Sequence, residues 1–331
     1  GSSNAGHTRI YEWNGSAWVQ LGADIDGEAA NDASGYSVSI SDDGSRVVTG
    51  AISNAGNGAT SGHARIFEWN GSAWVQLGAD IDGEAAGDQS GYSVSISGDG
   101  ARVAITSKRN ASNLGQVEVY EYDGSAWNQV GSDIEAAVFE FFGEDVALSQ
   151  DGSRLVAGGI FSSGNGSASG VIRIFEYCDG DWNQVGSDVY GEAADDQFGV
   201  SVSISADGSR VIGGSERNAG SGAFAGHARV FDLEDQLAPG GVCPNLALWL
   251  KADNGVDTTT GAQVSQWNDQ SGTGNITTEA HAALPSSSDV TTPSADITWM
   301  ASPANFNPAV NFTGANNKSL KHFRFYFEAG T

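Results

Sequence analysis

Along most of the chain, apolar and polar positions alternate in short runs separated by glycine-rich breaks. Ser37-Val38-Ser39-Ile40 repeats with a period of two, the mark of a strand with one face turned inward. Asp43-Gly44 follows, and Asp-Gly between alternating runs signals a hairpin, because the turn needs a positive φ. Arg46 to Gly50 predicts a second strand. After a Gly/Ser/Asn-rich loop over Ser53 to Ser61, Ala64 to Trp69 predicts a third. Asn70-Gly71 turns it into a fourth, Trp74-Val75-Gln76-Leu77. No stretch sustains a helical spacing, so no helix is expected.

This unit recurs. Gly6-His7-Thr8-Arg9-Ile10-Tyr11-Glu12-Trp13 returns as Gly62 to Trp69, and more loosely from Gly115, Gly170 and Gly226. The glycines lie 56, 53, 55 and 56 residues apart. The Ser-Val-Ser-Ile marker runs in phase at Tyr36 to Ser41, Tyr92 to Ser97, Glu144 to Ser149 and Val200 to Ser205. The Asp-Gly turn returns at Asp99, Asp151 and Asp207. A period of about 55 residues with four strands per unit, the smallest of them innermost, predicts an all-β chain built of β-propeller blades.

The run from Phe198-Gly199 through Ser205-Ala206-Asp207-Gly208 to Gly226-His227-Ala228-Arg229-Val230-Phe231 resembles an FG-GAP repeat, in the bacterial form whose blade ends in a Trp-containing strand. Phe142-Gly143 keeps the name-giving pair; Ser34-Gly35 and Ser90-Gly91 keep only the glycine. The resemblance covers roughly residues 1–232 and implies a propeller over 1–234. It implies little about activity. The units supply 2, then 12, then 3 strands, 17 in all, which four-stranded blades do not divide evenly. We therefore expect further blades upstream of this sequence and an incomplete circle within it.

Composition changes after Asp232. Residues 235–245, with Leu237-Ala238-Pro239-Gly240-Gly241, read as a linker. Leu246 to Asp253, Val264 to Gly272 and Pro308 to Phe312 are strand candidates. Residues 246–331 resemble the opening of a concanavalin-A-like (laminin-G-like) jelly roll, which implies a partial β-sandwich. Phe323 to Phe327 fits that pattern poorly.

Charge then narrows the partners. Fifteen Lys+Arg against 41 Asp+Glu leave a net charge of -26. Such a surface repels phosphate backbones and anionic headgroups, so neither nucleic acid nor membrane insertion is expected. Glycine, 46 of 331 residues, is about twice its usual share, which suits tight turns and crowded strands. The two cysteines, Cys178 and Cys243, read as idle thiols or as a single bridge. No nucleophile elbow, phosphate loop or zinc-protease helix is present.

Three residue sets carry candidate chemistry. The first is the acidic segment before each inner strand: Asp24, Asp26 and Glu28, then Asp80, Asp82 and Glu84, degenerating to Asp133-Ile134-Glu135 and Asp188-Val189-Tyr190-Gly191-Glu192. Flexible carboxylates of this kind supply oxygens for calcium, or form a solvated acidic rim. The calcium hairpin of integrin-type FG-GAP repeats is replaced here by a tight Asp-Gly turn, so calcium is expected in the acidic segments if anywhere. The second set is aromatic: Trp13, Trp18, Trp69, Trp74, Trp127 and Trp182. These are either sugar platforms or blade-to-blade packing. The third is histidine. His7, His63 and His227 share one repeat position, while Gln116 and Val171 replace them elsewhere. One histidine per blade is expected to be structural or solvent-facing.

The sequence thus predicts a secreted or cell-surface binding protein, non-catalytic, recognising extracellular glycan or a surface protein. The competing classes are the non-catalytic part of a larger polysaccharide-degrading enzyme, and a structural spacer.

Overall fold

The computed structural model describes residues 3–110, 114–136 and 138–233, together with four short strands beyond them. The chain divides into two compact units, Gly1–Asp235 and Gln236–Thr331.

In the first unit every described regular element is a strand. The opening repeat supplies β1 (His7–Thr8), β2 (Tyr11–Trp13), β3 (Trp18–Gln20) and β4 (Ile25–Asp26). The first complete blade is β5 (Ser34–Ile40), β6 (Arg46–Ala51), β7 (His63–Trp69), β8 (Trp74–Gln76) and β9 (Ile81–Asp82). The second is β10 (Ser90–Ile96), β11 (Arg102–Ser107), β12 (Gln116–Tyr122), β13 (Trp127–Gln129) and β14 (Ile134–Glu135). The third is β15 (Phe142–Leu148), β16 (Arg154–Gly159), β17 (Val171–Cys178) and β18 (Asp181–Tyr190). The last repeat contributes β19 (Ser201–Ile204), β20 (Arg210–Ser215) and β21 (His227–Asp232) as a three-stranded sheet.

Each complete blade is an antiparallel meander. The sequence places the fourth strand at Trp74 to Leu77 and leaves Asp80 and Asp82 in a loop. The chain instead returns to the ladder: β9 pairs with the start of β7, with His63 opposite Asp82 and Ala64 opposite Ile81. In the third blade the same path is one unbroken strand, β18, pairing with β17 from Cys178 back to Val171. The Asp-Gly hairpins also differ slightly from expectation. Only the glycine has a positive φ, as at Gly44 with φ 70, and its amide donates to Ser41 O at 2.9 Å. Asp43 instead accepts from the Ser45 amide and the Ser41 hydroxyl.

The blades stand around a common axis with the Ser-Val-Ser-Ile strands innermost. Successive inner strands are stitched side to side. The Val94 and Ile96 amides donate to the Ser37 and Ser39 hydroxyls at 3.0 and 3.2 Å. Val146 and Leu148 do the same to Ser93 and Ser95, and Val202 donates to Asp145, which stands at the serine position. Small hydroxyls are what this position needs, because the neighbouring backbone lies directly beside them. Past the strand ends the stitching is main chain to main chain. The Asp42 amide donates to Gly98 O, Gly98 to Gln150 O, and Gln150 to Ala206 O, at 2.7–3.0 Å.

The glycine that opens each third strand has a steric cause. Gly6, Gly62 and Gly170 bridge in parallel to Ser34, Ser90 and Phe198 of the next inner strand. At Gly62, with φ +73, a Cβ would lie 2.2 Å from Ser90 O, so no other residue fits. Between blades lie apolar cores. One joins Val48, Ala64 and Ile66 of the first blade to Val94, Ile96, Val103 and Ile105 of the second. Another joins Val117, Val119 and Ile134 to Phe142, Val146, Leu148 and Leu155.

In the second unit, β22 (Trp267–Asn268) pairs with β23 (Ile276–Thr277), and β24 (Ile297–Met300) pairs with β25 (Ala309–Phe312). The strand expected over 308–312 is β25, and the one over 264–272 contains β22. The strand candidate 246–253 and the aromatic run 323–327 lie outside the described residues. Cys178 is disulfide-bonded, which corrects the reading of idle thiols. The chain's other cysteine, Cys243, is outside the described residues.

Candidate functional site

The seams between repeats gather the charged residues. Gly62 ends at the next blade's backbone, so His63, one residue on, enters the seam at the top of β7. Across the ladder from it is Asp82, and residues directly opposite in an antiparallel pair share a face. Asp80 lies two residues before Asp82, and Glu28 arrives from the preceding repeat. His63 is only 1% exposed. Its Nδ1 lies 3.8 Å from Asp80 Oδ2 and 3.8 Å from Asp82 Oδ1. One donor atom each from Glu28, His63 and Asp80 falls within a 4.8 Å span. Burial pushes the His63 pKa below its ordinary value, against the pull of Asp80, so the ring is neutral at pH 7. Among the described residues neither ring nitrogen has a hydrogen-bond partner. Arg65 forms the far wall, donating to Asp26 O at 2.7 Å and lying 3.6 Å from Glu28. The loop over Ser53 to Ser61 lies over the site. At Gly56 a Cβ would collide with the Asp82 carboxylate, and Asn57 Nδ2 donates to Gly83 O.

The equivalent seams are filled differently. Around His7, Asp24 and Asp26, the group is solvent-facing, and Arg9 takes both Asp24 oxygens at 2.9 and 2.8 Å. That pairing, with Gln20, holds the Asp24 carboxyl down at about 2. In the next repeat Gln116 replaces histidine. Asn110 Nδ2 donates there to both Gln116 Oε1 and Glu135 Oε1. In the third, Val171 stands at the position, and Arg173 pairs with Asp188 and Glu140 at 2.8 and 2.6 Å. In the last, His227 Nδ1 is 3.8 Å from Glu192. Glu84 comes no nearer to a histidine, because its seam is the one that carries Gln116.

The expected acids therefore divide. Asp24 and Asp26 join His7, while Glu28, Asp80 and Asp82 join His63. A single histidine per blade carries no ligand set in its own neighbourhood of the sequence. The partners are carboxylates about 17 to 35 residues away in sequence, brought in by strand pairing and by the preceding repeat. The only sequence signal was the phase shared by His63 and the Asp-x-Asp segment.

The tryptophans divide as well. Trp74, Trp127 and Trp182 donate their indole N–H to Leu21, Leu77 and Val130 O of the preceding repeat, at 2.8–2.9 Å. Their rings lie against Gly22, Gly78 and Gly131. Trp69 packs at a tilt against Trp74, with 5.4 Å between ring centres, and Tyr122 and Tyr177 do the same for Trp127 and Trp182. These rings lock blade to blade. Trp13 and Trp18 pair at 5.7 Å and keep exposed faces. Elsewhere, Asp24, Asp26, Arg65, Phe67 and Trp74 line a groove of about 200 Å³ between the first two repeats. Carboxylate acceptors, a guanidinium donor and aromatic walls meet there.

At one end of the inner strands the hairpin tips, with Asp42, Asp43, Asp99, Asp151 and Asp207, surround a depression of about 580 Å³. Each turn aspartate spends its oxygens on its own turn, as Asp207 does on Ser205 and Ser209. Those bonds hold its carboxyl at about 2.

No family model matches the sequence, and no curated protein matches it. Among solved structures, the chain is similar to hydrazine synthase of Kuenenia stuttgartiensis, at 12% identity and a TM-score of 0.39, over 60% of this chain and 46% of that one. It thus spans about half the length of that protein. It is also similar to a putative 6-phosphogluconolactonase from Bacteroides uniformis, at 15% identity and a TM-score of 0.40, over 70% of this chain and 72% of that one.

Proposed function

We propose that this is a non-catalytic extracellular binding protein of the FG-GAP type that holds neutral glycan at the seams between its blades. The observation that carries this reading is the groove where Trp74 and Phe67 face Asp24, Asp26 and Arg65. Sugar rings offer an apolar face and a fringe of hydroxyls. Aromatic walls with nearby carboxylate and guanidinium groups match both. The exposed Trp13–Trp18 pair offers a second aromatic surface. Repetition of the seam architecture favours weak contacts multiplied along a polymer. The net charge of -26 disfavours direct contact with sulfated or uronic polymers at modest salt. A concanavalin-A-like second unit belongs to the same reading.

A glycan array run beside a reducing-sugar assay tests it. Binding of neutral glycan without release of reducing ends is expected, with Asp26→Ala weakening it roughly tenfold, the worth of one good polar contact. Released reducing ends would favour a polysaccharide-degrading enzyme. Silence in both assays, with retained protein–protein adhesion, would favour a spacer or protein-binding role.

A further inference from the structure

We infer that the seam formed by Glu28, His63, Asp80 and Asp82 is a binding site for one divalent transition-metal ion of the zinc class. The inference goes beyond glycan binding and does not depend on it. The starting observation is a buried imidazole with nothing to bond. His63 is 1% exposed, and both of its nitrogens lack a hydrogen-bond partner, which costs free energy unless something else satisfies them. Its Nδ1 faces two carboxylates at 3.8 Å, and Glu28 approaches from the adjoining repeat. Ligands about 2 Å from a shared zinc-class ion lie roughly 3–4 Å apart; Glu28, His63 and Asp80 offer donor atoms within 4.8 Å of one another, so small side-chain rotations bring these three onto one centre, with Asp82 beside His63 as a further carboxylate.

The other seams act as internal comparisons. Where the repeat lacks histidine, the protein fills the same space itself. Asn110 bridges Gln116 and Glu135 in one seam. Arg173 bridges Asp188 and Glu140 in another. At the His7 seam, Arg9 occupies Asp24. At His63 the neighbouring cation among the described residues is Arg65, which lies 3.6 Å from Glu28 and donates to Asp26 O. Three carboxylates and an imidazole whose nitrogens have no partner among the described residues thus surround a spot where a divalent ion would supply the missing charge. Ligand chemistry chooses the ion. Calcium takes six to eight oxygens, whereas imidazole with carboxylates suits zinc, iron, nickel or copper. The loop over Ser53 to Ser61 comes against the Asp82 carboxylate, and an ion in the seam would clamp two repeats together.

The test uses the full chain, stripped with chelator and titrated with zinc chloride, and separately with calcium chloride. Calorimetry follows binding, and NMR of the histidine side chains follows the ligand. One tight zinc ion is expected, shifting the His63 ring signals, with calcium at the same concentration leaving them in place. His63→Gln and Asp80→Asn should each weaken binding by roughly tenfold or more. The first variant reproduces the residue that Gln116 provides in the next repeat, so it is expected to fold. Should either variant fail to fold, the His63 shift in the unaltered chain decides. No zinc binding, an unshifted His63, equal binding by both folded variants, or equal response to calcium would each overturn the inference.

Discussion

At the position three residues after the strand-opening glycine, four repeats carry arginine: Arg9, Arg65, Arg173 and Arg229. The second blade carries Glu118 instead. It is buried, and the Tyr120 hydroxyl donates to it at 3.0 Å. Burial outweighs that bond and pushes the Glu118 pKa up to about 7. An acid with a raised folded pKa binds more protons folded than unfolded between its ordinary value and the raised one. Its favourable contribution is therefore complete below about pH 4.5 and is lost as pH rises to 7. Glu118→Gln should flatten the fall in stability across that window and stabilise the protein above pH 7 by up to about 3 kcal/mol. Urea midpoints at pH 5 and pH 8 measure it; an unchanged difference between the two would refute it. Gly62→Ala is expected to act more harshly, since its Cβ would meet Ser90 O at 2.2 Å in a left-handed backbone. A loss on the order of 3 kcal/mol or more should appear in the same melts.

At the scale of elements, successive inner strands are held to one another by serine hydroxyls. Ser95 accepts the buried Leu148 amide at 3.0 Å. Ser95→Ala leaves that amide without a partner and should cost about 1–3 kcal/mol. Ser203 holds the same position in the last inner strand but is exposed, and Ser203→Ala should be near neutral. Equal losses in chemical unfolding would show that the hydroxyls matter for strand propensity and not for stitching. The fourth strands hold their blades differently. Each indole donates backwards to the preceding repeat, so Trp127→Phe should remove one bond, worth about 1 kcal/mol, while keeping the ring over Gly78.

For the whole molecule, equivalent residues differ by where their blade stands. Val94 and Ile96 are 5% and 6% exposed, whereas Val38 and Ile40 of the first complete blade are 54% and 51% exposed. At the other edge Ile212 and Val230 are 37% and 63% exposed, although their equivalents Val48 and Ile66 are fully buried. Ile96→Ala should therefore cost about 2–5 kcal/mol, and the same change at Ile40 less than about 1 kcal/mol. Calorimetry of the two variants separates them, and equal losses would mean that something covers the outer face in solution.

Much of this was determined locally. Period-two runs, Asp-Gly and Asn-Gly turns and the recurrence of one unit fix strands, hairpins and blades, because strand pleat and turn φ depend on neighbours in sequence. The repeat also marked Gly62 and Ser95 as special, before any steric reason was visible. Which residues meet was decided only by the tertiary structure. Asp82 joins His63 through the return of β9 to β7, and Glu28 reaches them from another repeat. Trp74 touches Leu21 rather than solvent for the same reason. These contacts depend on ladder register and on the packing of one blade against the next. Identical sequence segments thus acquire different roles: Asp24 is claimed by Arg9, while Asp80 faces a buried imidazole. The physical reason is that a side chain's charge, exposure and partners belong to its seam, and the seam is made by two repeats at once.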